Sequence, residues 1–411
     1  MASERGPFPP RPGVPPDAAQ LAALALCLDG AVAKVDGWMA AASDEAEALA
    51  GVTAGLGALV ETVGTLAEEV RAIGLAMEKE PEGPSLDSQL SACAPDPTTS
   101  AAALSVLARP PRGHPVSSAM VERLVRLRPW LPQARRADLD ATVRALRPKA
   151  APPEPVARPE IRIVMATLCD GAGAQSLFAL VKRGRRFALA ALLVKVETGV
   201  ADAWVTEGMG KAEAEALIAE IVAGSETAEV SIGLLERRLA DALATNVARD
   251  VPPPFGLLQV AEALGLGPLH PEAVPPPVLV EELLAGLPEE RTGTAATAAA
   301  DRASARWEQE FGTLDSWFEA GEAVEGLLRP LRTRKQRTEA VLTRLLPARR
   351  AFWAERCAWT AAVLKESAEI GDEGWIGFAL VARDLAGGRA LDTMPLAARI
   401  AAATVEAFKH R

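Results

Sequence analysis

The segment from Asp170 to Ser176 comes closest, in residue types and spacing, to a nucleotide-binding loop. Gly171, Gly173 and Ser176 form a G-x-G-x-x-S pattern directly after a β-branched, apolar run. Glycines in such a loop let the backbone approach a phosphate at the start of a helix. If 175–183 formed that helix and 187–196 the next strand, Glu197 would lie where an acidic residue contacts a ribose. This pattern predicts, as one alternative, an enzyme that binds a nucleotide cofactor through the Gly171–Gly173 loop.

The same loop fits a hairpin turn better. The third glycine of the motif is replaced by Ser176, and a helix over 175–183 would have only about two and a half turns. No further strand–helix alternation follows to build a parallel sheet, and no P-loop lysine follows the glycines. We therefore interpret 170–173 as a turn between antiparallel strands and predict no cofactor.

The histidines and cysteines show no spacing typical of a metal or nucleophile site. His114, His270 and His410 have no further ligand at i+4 on a helix. The four cysteines stand far apart and form no C-x-x-C pair: Cys27, Cys93, Cys169 and Cys357. We expect Cys169 and Cys357 to act as small buried apolar residues. The sequence therefore predicts no metal ligand and no catalytic residue, although a site assembled from distant positions stays open.

Arginines are concentrated in the segment 117–147, which is predicted to form two short helices at 117–128 and 133–146. Such a segment has the size of a minimal helix-turn-helix, and arginine forks suit phosphates. Five of the arginines are predicted nucleic-acid contacts: Arg123, Arg126, Arg128, Arg135 and Arg136. Side chains that read base edges are scarce here. A solvated helix face, or a match to the acidic N-terminal arm, is the alternative.

The strongest pattern concerns assembly. Between Leu21 and Met77, apolar residues recur at alternating spacings of three and four, and Glu45 alone interrupts the series. This period puts a narrow apolar stripe on a helix, and another helix must cover it. The second half of the stripe is the predicted interaction seam: Leu49, Val52, Leu56, Leu59, Val63, Leu66, Val70 and Ile73. Self-association, a hairpin folded on the protein's own body and a foreign partner helix all fit.

Proline clusters and composition divide the 411 residues. The expected segments are a disordered Pro-rich terminus at 1–16, a coiled-coil or hairpin arm at 17–79, a linker at 80–116, the basic two-helix segment at 117–147, a linker at 148–159, a β-meander with helices at 160–290 and a Trp-rich helical domain at 291–411. The net charge of −10 hides an acidic arm beside a basic two-helix segment. The longest apolar stretch, 187–194, is far shorter than the roughly 20 residues that cross a bilayer.

The body is predicted to be mainly α (α+β), with a small antiparallel meander before a multi-helix domain. Strands are expected at 161–169, 175–182 and 187–196, with helices after Gly199. The helices are expected at 211–223, 231–248, 255–264, 277–285, 294–311, 316–328, 334–345, 348–367, 373–386 and 395–409. Five tryptophans of the last 105 residues are expected to pack in the core: Trp307, Trp317, Trp353, Trp359 and Trp375.

These patterns favour a non-enzymatic interaction protein, an oligomerising adaptor or regulator in a cytoplasmic setting and without membrane contact. Its partner is expected to be a second copy or another helix. A nucleic-acid-binding regulator is the alternative, and the cofactor enzyme is the second alternative.

Overall fold

A computed structural model describes residues 118–131, 133–150, 159–254, 256–367 and 371–409. The chain divides into two units, residues 1–156 and 157–411. The predicted arm at 17–79, with its seam, and the linker at 80–116 lie outside the described residues. Within these residues the protein is mainly α with one small antiparallel sheet, which confirms the predicted fold class.

The first unit contains the two predicted helices, α1 (Ser118–Leu127) and α2 (Gln133–Leu146). A 3-10 turn, Arg128–Trp130, follows α1 because Pro129 cannot continue the preceding hydrogen-bonded turns. The segment buries apolar residues at spacings of three, four, eight and seven: Val121, Leu124, Leu127, Leu131, Leu139 and Leu146. A second 3-10 turn, Arg147–Lys149, ends the segment.

The second unit begins with a five-stranded antiparallel sheet. Its strands are β1 (Glu160–Thr167), β2 (Ala174–Arg183), β3 (Arg186–Lys195), β4 (Gly199–Met209) and β5 (Thr227–Glu229), in the spatial order β4-β3-β2-β1-β5. The predicted β2–β3 hairpin is confirmed, with Arg183 opposite Arg186. Gly184 occupies the first position of this two-residue turn at a φ of 60°, as a type II′ turn requires.

The expectation that helices start directly after Gly199 is wrong. Strand β4 runs from Gly199 to Met209 along β3, and the short β5 pairs with β1. Ala203 is buried while its neighbours Asp202 and Trp204 are exposed, which is the period of two of a strand at a sheet edge. Residues 199–209 mix apolar, polar and charged side chains, so this period of two is hard to recognise in the sequence.

One end of the edge strand β4 is covered by a side chain. Asn246 is 1% exposed, and its Oδ1 accepts a hydrogen bond from the Val200 N–H at 2.8 Å. Its Nδ2 donates to the carbonyl oxygens of Thr198 and Val200 at 3.1 and 3.3 Å. The amide thus takes the place of a neighbouring strand at this position.

Twelve helices complete the described part of the second unit: α3 (Lys211–Gly224), α4 (Ile232–Ala248), α5 (Gly256–Leu264), α6 (Pro276–Leu284), α7 (Glu289–Thr292), α8 (Thr294–Ser304), α9 (Trp307–Glu310), α10 (Glu322–Leu328), α11 (Arg334–Ala340), α12 (Arg350–Glu366), α13 (Asp372–Ala386) and α14 (Pro395–Lys409). Among the described helices, none is both long and apolar enough to span a lipid bilayer.

Two of the predicted long helices are shorter than expected. The helix expected at 294–311 ends at Ser304 and resumes as the short α9. The helix expected at 316–328 begins only at Glu322, because Gly321 has a φ of 106° and breaks the helical path. The helix at 334–345 is present, but its last five residues, Val341–Leu345, form a π turn.

Aromatic side chains form the core of the helical domain, as predicted. The five tryptophans are between 0% and 4% exposed. Trp307 stacks on Phe378 with ring centroids 3.7 Å apart, and Trp317 lies 5.5 Å from Trp353. These contacts join α13 to α9, and they join α12 to the chain that follows α9.

Candidate functional site and alanine groove

The glycine loop is a hairpin connection between β1 and β2. The Asp170 Oδ1 accepts hydrogen bonds from the N–H groups of Ala172 and Ala174, both at 2.8 Å. Gly173 has a φ of 74° and donates to the Asp170 carbonyl at 3.0 Å. Because Ala174 begins a strand antiparallel to β1, the helix required for a nucleotide-binding unit does not exist. The cofactor interpretation of this loop is therefore wrong.

Gly171 is a glycine because another backbone segment approaches it closely. Its N–H donates to Ser316 Oγ at 2.7 Å, and its carbonyl accepts from Arg356 Nη2. A Cβ at this position would lie 1.5 Å from the Ser316 carbonyl oxygen. The Trp317 indole N–H donates to the neighbouring Cys169 carbonyl at 2.9 Å. The loop therefore joins the sheet to the helical domain.

A buried group of charged side chains lies beside this loop, with Arg238 of α4 at its centre. The Arg238 side chain is 2% exposed, and its Nη1 lies 2.6 Å from Asp241 Oδ2 and 3.7 Å from Glu355 Oε1. Its Nε donates to Gln175 Oε1 at 3.0 Å, and its guanidinium lies over the Trp359 ring. Charges buried to this degree persist only when they are paired and hydrogen-bonded.

Two further polar atoms of this group bind the backbone, whereas the buried Arg238 Nη2 has no hydrogen-bond partner among the described residues. Gln175 Nε2 donates to the Thr167 carbonyl at 3.0 Å, and Asp241 Oδ1 accepts from the Val274 N–H at 2.9 Å. The group therefore connects β1 and β2 with α4, α12 and the chain before α6. We call Gln175, Arg238, Asp241 and Glu355 the buried charge cluster.

A second set of ion pairs accounts for Glu197, the residue predicted to contact a ribose. Glu197 pairs instead with Arg349 Nη1, while Arg349 Nε lies 3.1 Å from Glu319 Oε1. The Trp353 indole N–H donates to the same Glu319 oxygen at 2.8 Å. Arg356, which is fully buried, lies between the rings of Phe352 and Trp353.

Burial shifts the ionisation of several groups in this region. Burial raises the pKa of Glu355 to about 7, and the positive charge of Arg238 opposes part of this rise. Burial likewise raises the pKa of the Cys169 thiol to about 11, and it raises the pKa of Cys357. A thiol with a raised pKa is a poor nucleophile. Both cysteines are free and buried, as expected of small apolar residues.

Glu355→Gln is expected to stabilise the protein at pH 8 by up to about 3 kcal/mol and to have little effect near pH 4.5. A folded-state pKa of about 7, above the ordinary 4.5, means that the folded protein binds this proton more tightly than the unfolded chain. Stability is thus lost as the pH rises from 4.5 through 7. Urea unfolding at both pH values measures the difference, with Glu220→Gln on the exposed face of α3 as the control. An equal effect at both pH values would contradict this prediction.

The buried charge cluster was not predicted from the sequence, although one local signal indicates it. Arg238 and Asp241 share a helix with the buried Leu235, Leu239 and Ala242. Charged residues at positions of an apolar stripe indicate a buried ion pair. Gln175 and Glu355 come from distant parts of the chain and carry no such local signal.

The predicted nucleic-acid contacts of the two-helix segment divide into two groups. Arg128 forms a two-pronged hydrogen bond with Asp140 at 2.7 and 2.9 Å, and Arg136 donates to the carbonyl oxygens of Leu131 and Pro129 at 3.0 and 3.2 Å. These two residues hold the turn between the helices. The other three predicted contacts lie on α1 (Arg123 and Arg126, both half-buried) and on α2 (Arg135). Nucleic-acid contact by these residues stays a prediction.

A groove of about 510 Å³ lies between α8 and α13. Ala295, Ala296, Ala299, Ala300 and Ala303 of α8 line it together with Ile376, Gly377 and Leu380 of α13, and the charged residues Glu290, Arg291 and Glu373 line it as well. Arg291 Nη1 pairs with Asp372 Oδ2 at 3.0 Å, and Arg383 donates to the Thr292 carbonyl and to Thr297 Oγ1, both at 2.9 Å. These bonds fix α7 and α8 against α13. We call this surface the alanine groove.

The chain is similar to proteins of the Y4lR type. Residues 277–409 match the model of the Y4lR C-terminal helical domain, and residues 90–150 match that of the Y4lR second domain. Over 252 residues the chain is 30% identical to the uncharacterized protein y4lR of Sinorhizobium fredii (strain NBRC 101917 / NGR234). This alignment covers 59% of the chain and 47% of the relative, so the chain spans about half the length of the relative that it matches. No solved structure matches the chain.

The matched regions include the alanine groove, because α8 and α13 lie within residues 277–409. They also include α1 and α2, which lie within residues 90–150. The sheet and the buried charge cluster residues Gln175, Arg238 and Asp241 lie between these regions. Among the described residues, no three His, Cys, Asp or Glu side chains are grouped so as to hold a metal ion.

Proposed function

We propose that the protein is a non-enzymatic interaction protein, an oligomerising adaptor or regulator that assembles by helix docking. The arm at 17–79 supplies an apolar seam, and the alanine groove supplies a surface for it on a second copy of the chain. The groove carries this proposal, because a narrow apolar seam requires a helical surface that covers it. Amphipathic helices dock in such grooves through side chains at spacings of three and four.

The dimensions of seam and groove support this occupant. On α8 the groove runs from Ala295 to Ala303, about 12 Å of helix at 1.5 Å per residue. A docked helix covers this length with a little over one heptad, which presents two or three seam residues. The central four seam residues are Leu56, Leu59, Val63 and Leu66.

The side chains of the two surfaces also complement each other in size. The walls of the groove carry alanines, and Ala295 and Ala299 are exposed on them. Large side chains on one helix pack best opposite small ones on its neighbour, as knobs enter holes. Leucine and valine of the seam are thus suited to this surface.

Blocking the groove is expected to dissociate the oligomer. Ala299→Trp fills the groove, and Leu59→Glu with Leu66→Glu places charges on the seam; each is expected to weaken self-association more than about 100-fold, a loss of roughly 3 kcal/mol. Light scattering coupled to size exclusion measures the mass of the full-length chain and of each variant. Ala216→Trp, on the exposed side of α3, is the matched control and should keep the intact mass.

The outcomes separate the parts of this proposal. An intact chain that is monomeric at micromolar concentration would contradict self-association altogether. A seam variant that dissociates while Ala299→Trp stays oligomeric would show that the seam pairs with another seam and leaves the groove for a different protein.

A nucleic-acid-binding regulator is the second candidate. Residues 109–150 carry ten basic and three acidic side chains, a balance of +7 in a chain of net charge −10. The predicted phosphate contacts are Arg123, Arg126, Arg128, Arg135 and Arg136, of which Arg128 and Arg136 also bond to the segment itself. Arg126→Ala with Arg135→Ala should then weaken duplex binding at every salt concentration and flatten its salt dependence.

A further inference from the structure

A second basic segment lies on the helical domain, from the end of α10 to the start of α12. Residues 329–350 carry eight basic side chains and one acidic side chain, Glu339. Their balance of +7 contrasts with the net charge of −10 of the whole chain. A local excess of one sign against the opposite overall charge marks a surface that attracts an oppositely charged partner.

Four of these eight basic side chains contact described neighbours: Arg329, Arg337, Arg349 and Arg350. The other four are exposed, and their side chains form no hydrogen bond or ion pair with any described residue: Arg332, Arg334, Lys335 and Arg344. We call these four residues the free basic patch.

The helix that carries the free basic patch is firmly anchored. Thr333 Oγ1 accepts from the Gln336 N–H, and Gln336 Oε1 accepts from the Thr333 N–H, both at 3.2 Å. Arg337 donates to the Leu331 carbonyl at 3.0 Å and stacks on Phe408 of α14. The exposed cations therefore project from a base that is already ordered, which lowers the entropy lost on binding.

The length of the patch suits a polyanion. Arg334 and Arg344 are ten residues apart along one helical segment, or about 15 Å at 1.5 Å per residue. The same length of duplex DNA carries about nine phosphate charges. Three of the four cations are arginines, whose planar forks bind phosphate oxygens in pairs.

We propose that Arg332, Arg334, Lys335 and Arg344 bind the phosphate backbone of duplex DNA. Exposed large apolar side chains, which an amphipathic segment inserts into a lipid surface, occur at Val125, Trp204, Val222, Val251 and Val278 among the described residues, all outside 329–350. The single amide of residues 329–350, Gln336, is held in the capping box with Thr333, so the patch contacts phosphates and binding is independent of sequence. This activity goes beyond the proposed self-association and involves a different surface.

Salt dependence tests the proposal on the full-length chain. Fluorescence anisotropy with a labelled 24-base-pair duplex is recorded between 50 and 200 mM KCl. Each phosphate contact contributes about 0.9 to the slope of log affinity against log salt. Arg332→Gln, Arg334→Gln, Lys335→Gln and Arg344→Gln together should flatten the slope by about 3.6, so that a fourfold rise in salt weakens the intact protein about 150-fold more than the variant.

A variant of equal charge change is the control. Arg185→Gln, Lys211→Gln, Arg249→Gln and Arg306→Gln remove four exposed cations elsewhere on the second unit and should leave the slope unchanged. An unchanged thermal midpoint shows that each variant is folded. Absence of duplex binding at 50 mM salt, or an equal loss in both variants, would overturn the proposal.

Two further comparisons distinguish DNA binding by this patch from DNA binding by the two-helix segment and from membrane binding. If only Arg126→Ala with Arg135→Ala abolishes duplex binding, the two-helix segment binds DNA and the free basic patch does not. If the patch variant loses binding to phosphatidylserine vesicles but not to the duplex, the partner is an anionic membrane and the proposal is wrong. Oligomer mass is recorded in parallel, so that loss of self-association is distinguished from loss of phosphate contacts.

Discussion

Gly171→Ala is expected to lower the free energy of unfolding by more than about 3 kcal/mol, the upper range for an overpacked core. The added Cβ would lie 1.5 Å from the carbonyl oxygen and 2.4 Å from the carbonyl carbon of Ser316, both backbone atoms that no rotamer change can move. The loop must then separate from the helical domain. It would lose the hydrogen bonds from Arg356 to the Gly171 carbonyl and from Trp317 to the Cys169 carbonyl.

Two other glycines provide controls for this substitution. Gly184 at the β2–β3 turn has a φ of 60° and no atom within 4 Å of an added Cβ, so alanine there should cost only the left-handed penalty of about 1–2 kcal/mol. Gly210 precedes α3 in extended conformation and has the same open space, so Gly210→Ala should be nearly neutral. Urea unfolding followed by tryptophan fluorescence measures all three. A Gly171→Ala effect no larger than that of Gly184→Ala would mean that the loop is not clamped as described.

Arg238→Met is expected to destabilise the protein by about 3–5 kcal/mol, as breaking a buried ion pair does. Methionine fills a similar volume but leaves the carboxylate of Asp241, whose side chain is 10% exposed, without its positive partner. It also removes the donor to Gln175 Oε1. The loss should appear as a lower urea midpoint of the sheet and helical domain together, because the buried charge cluster connects them.

The neighbouring residue is a matched control. Arg237 pairs with Glu282 at the surface, where its side chain is 38% exposed, so Arg237→Met should change stability by less than about 1 kcal/mol. Adding Asp241→Asn to Arg238→Met removes the stranded charge but keeps the acceptor for the Val274 N–H. This double variant should recover a large part of the loss, and a double-mutant cycle measures the coupling. Additive effects of the two substitutions would show that Arg238 and Asp241 act independently.

Local patterns in the sequence predicted the elements that depend on local rules. The β2–β3 hairpin follows from two apolar runs around Gly184, and the helices α2 and α14 were predicted with the bounds that the structure has. The buried tryptophans also follow from helical spacing in an apolar context. These features need only neighbours within a few residues, which a single sequence contains.

Features that depend on distant residues could not be predicted in the same way. The G-x-G-x-x-S pattern is compatible with a phosphate loop and with a clamped hairpin, and the choice depends on Ser316, 145 residues away. Strand β4 was missed because pairing with β3, rather than its own composition, holds it in place. The alanine groove is likewise formed by two helices that are separated in the chain by almost 70 residues.

The position of Asn246 limits the ways in which copies of this protein can aggregate. For a strand of another molecule to pair with the sheet at Val200, it would have to displace the buried Asn246 amide. Three hydrogen bonds would then be broken. At the start of β4 the sheet is therefore a poor template for cross-β growth. Open strand edges are where the sheets of separate molecules pair, so this block protects the protein wherever its copies are concentrated.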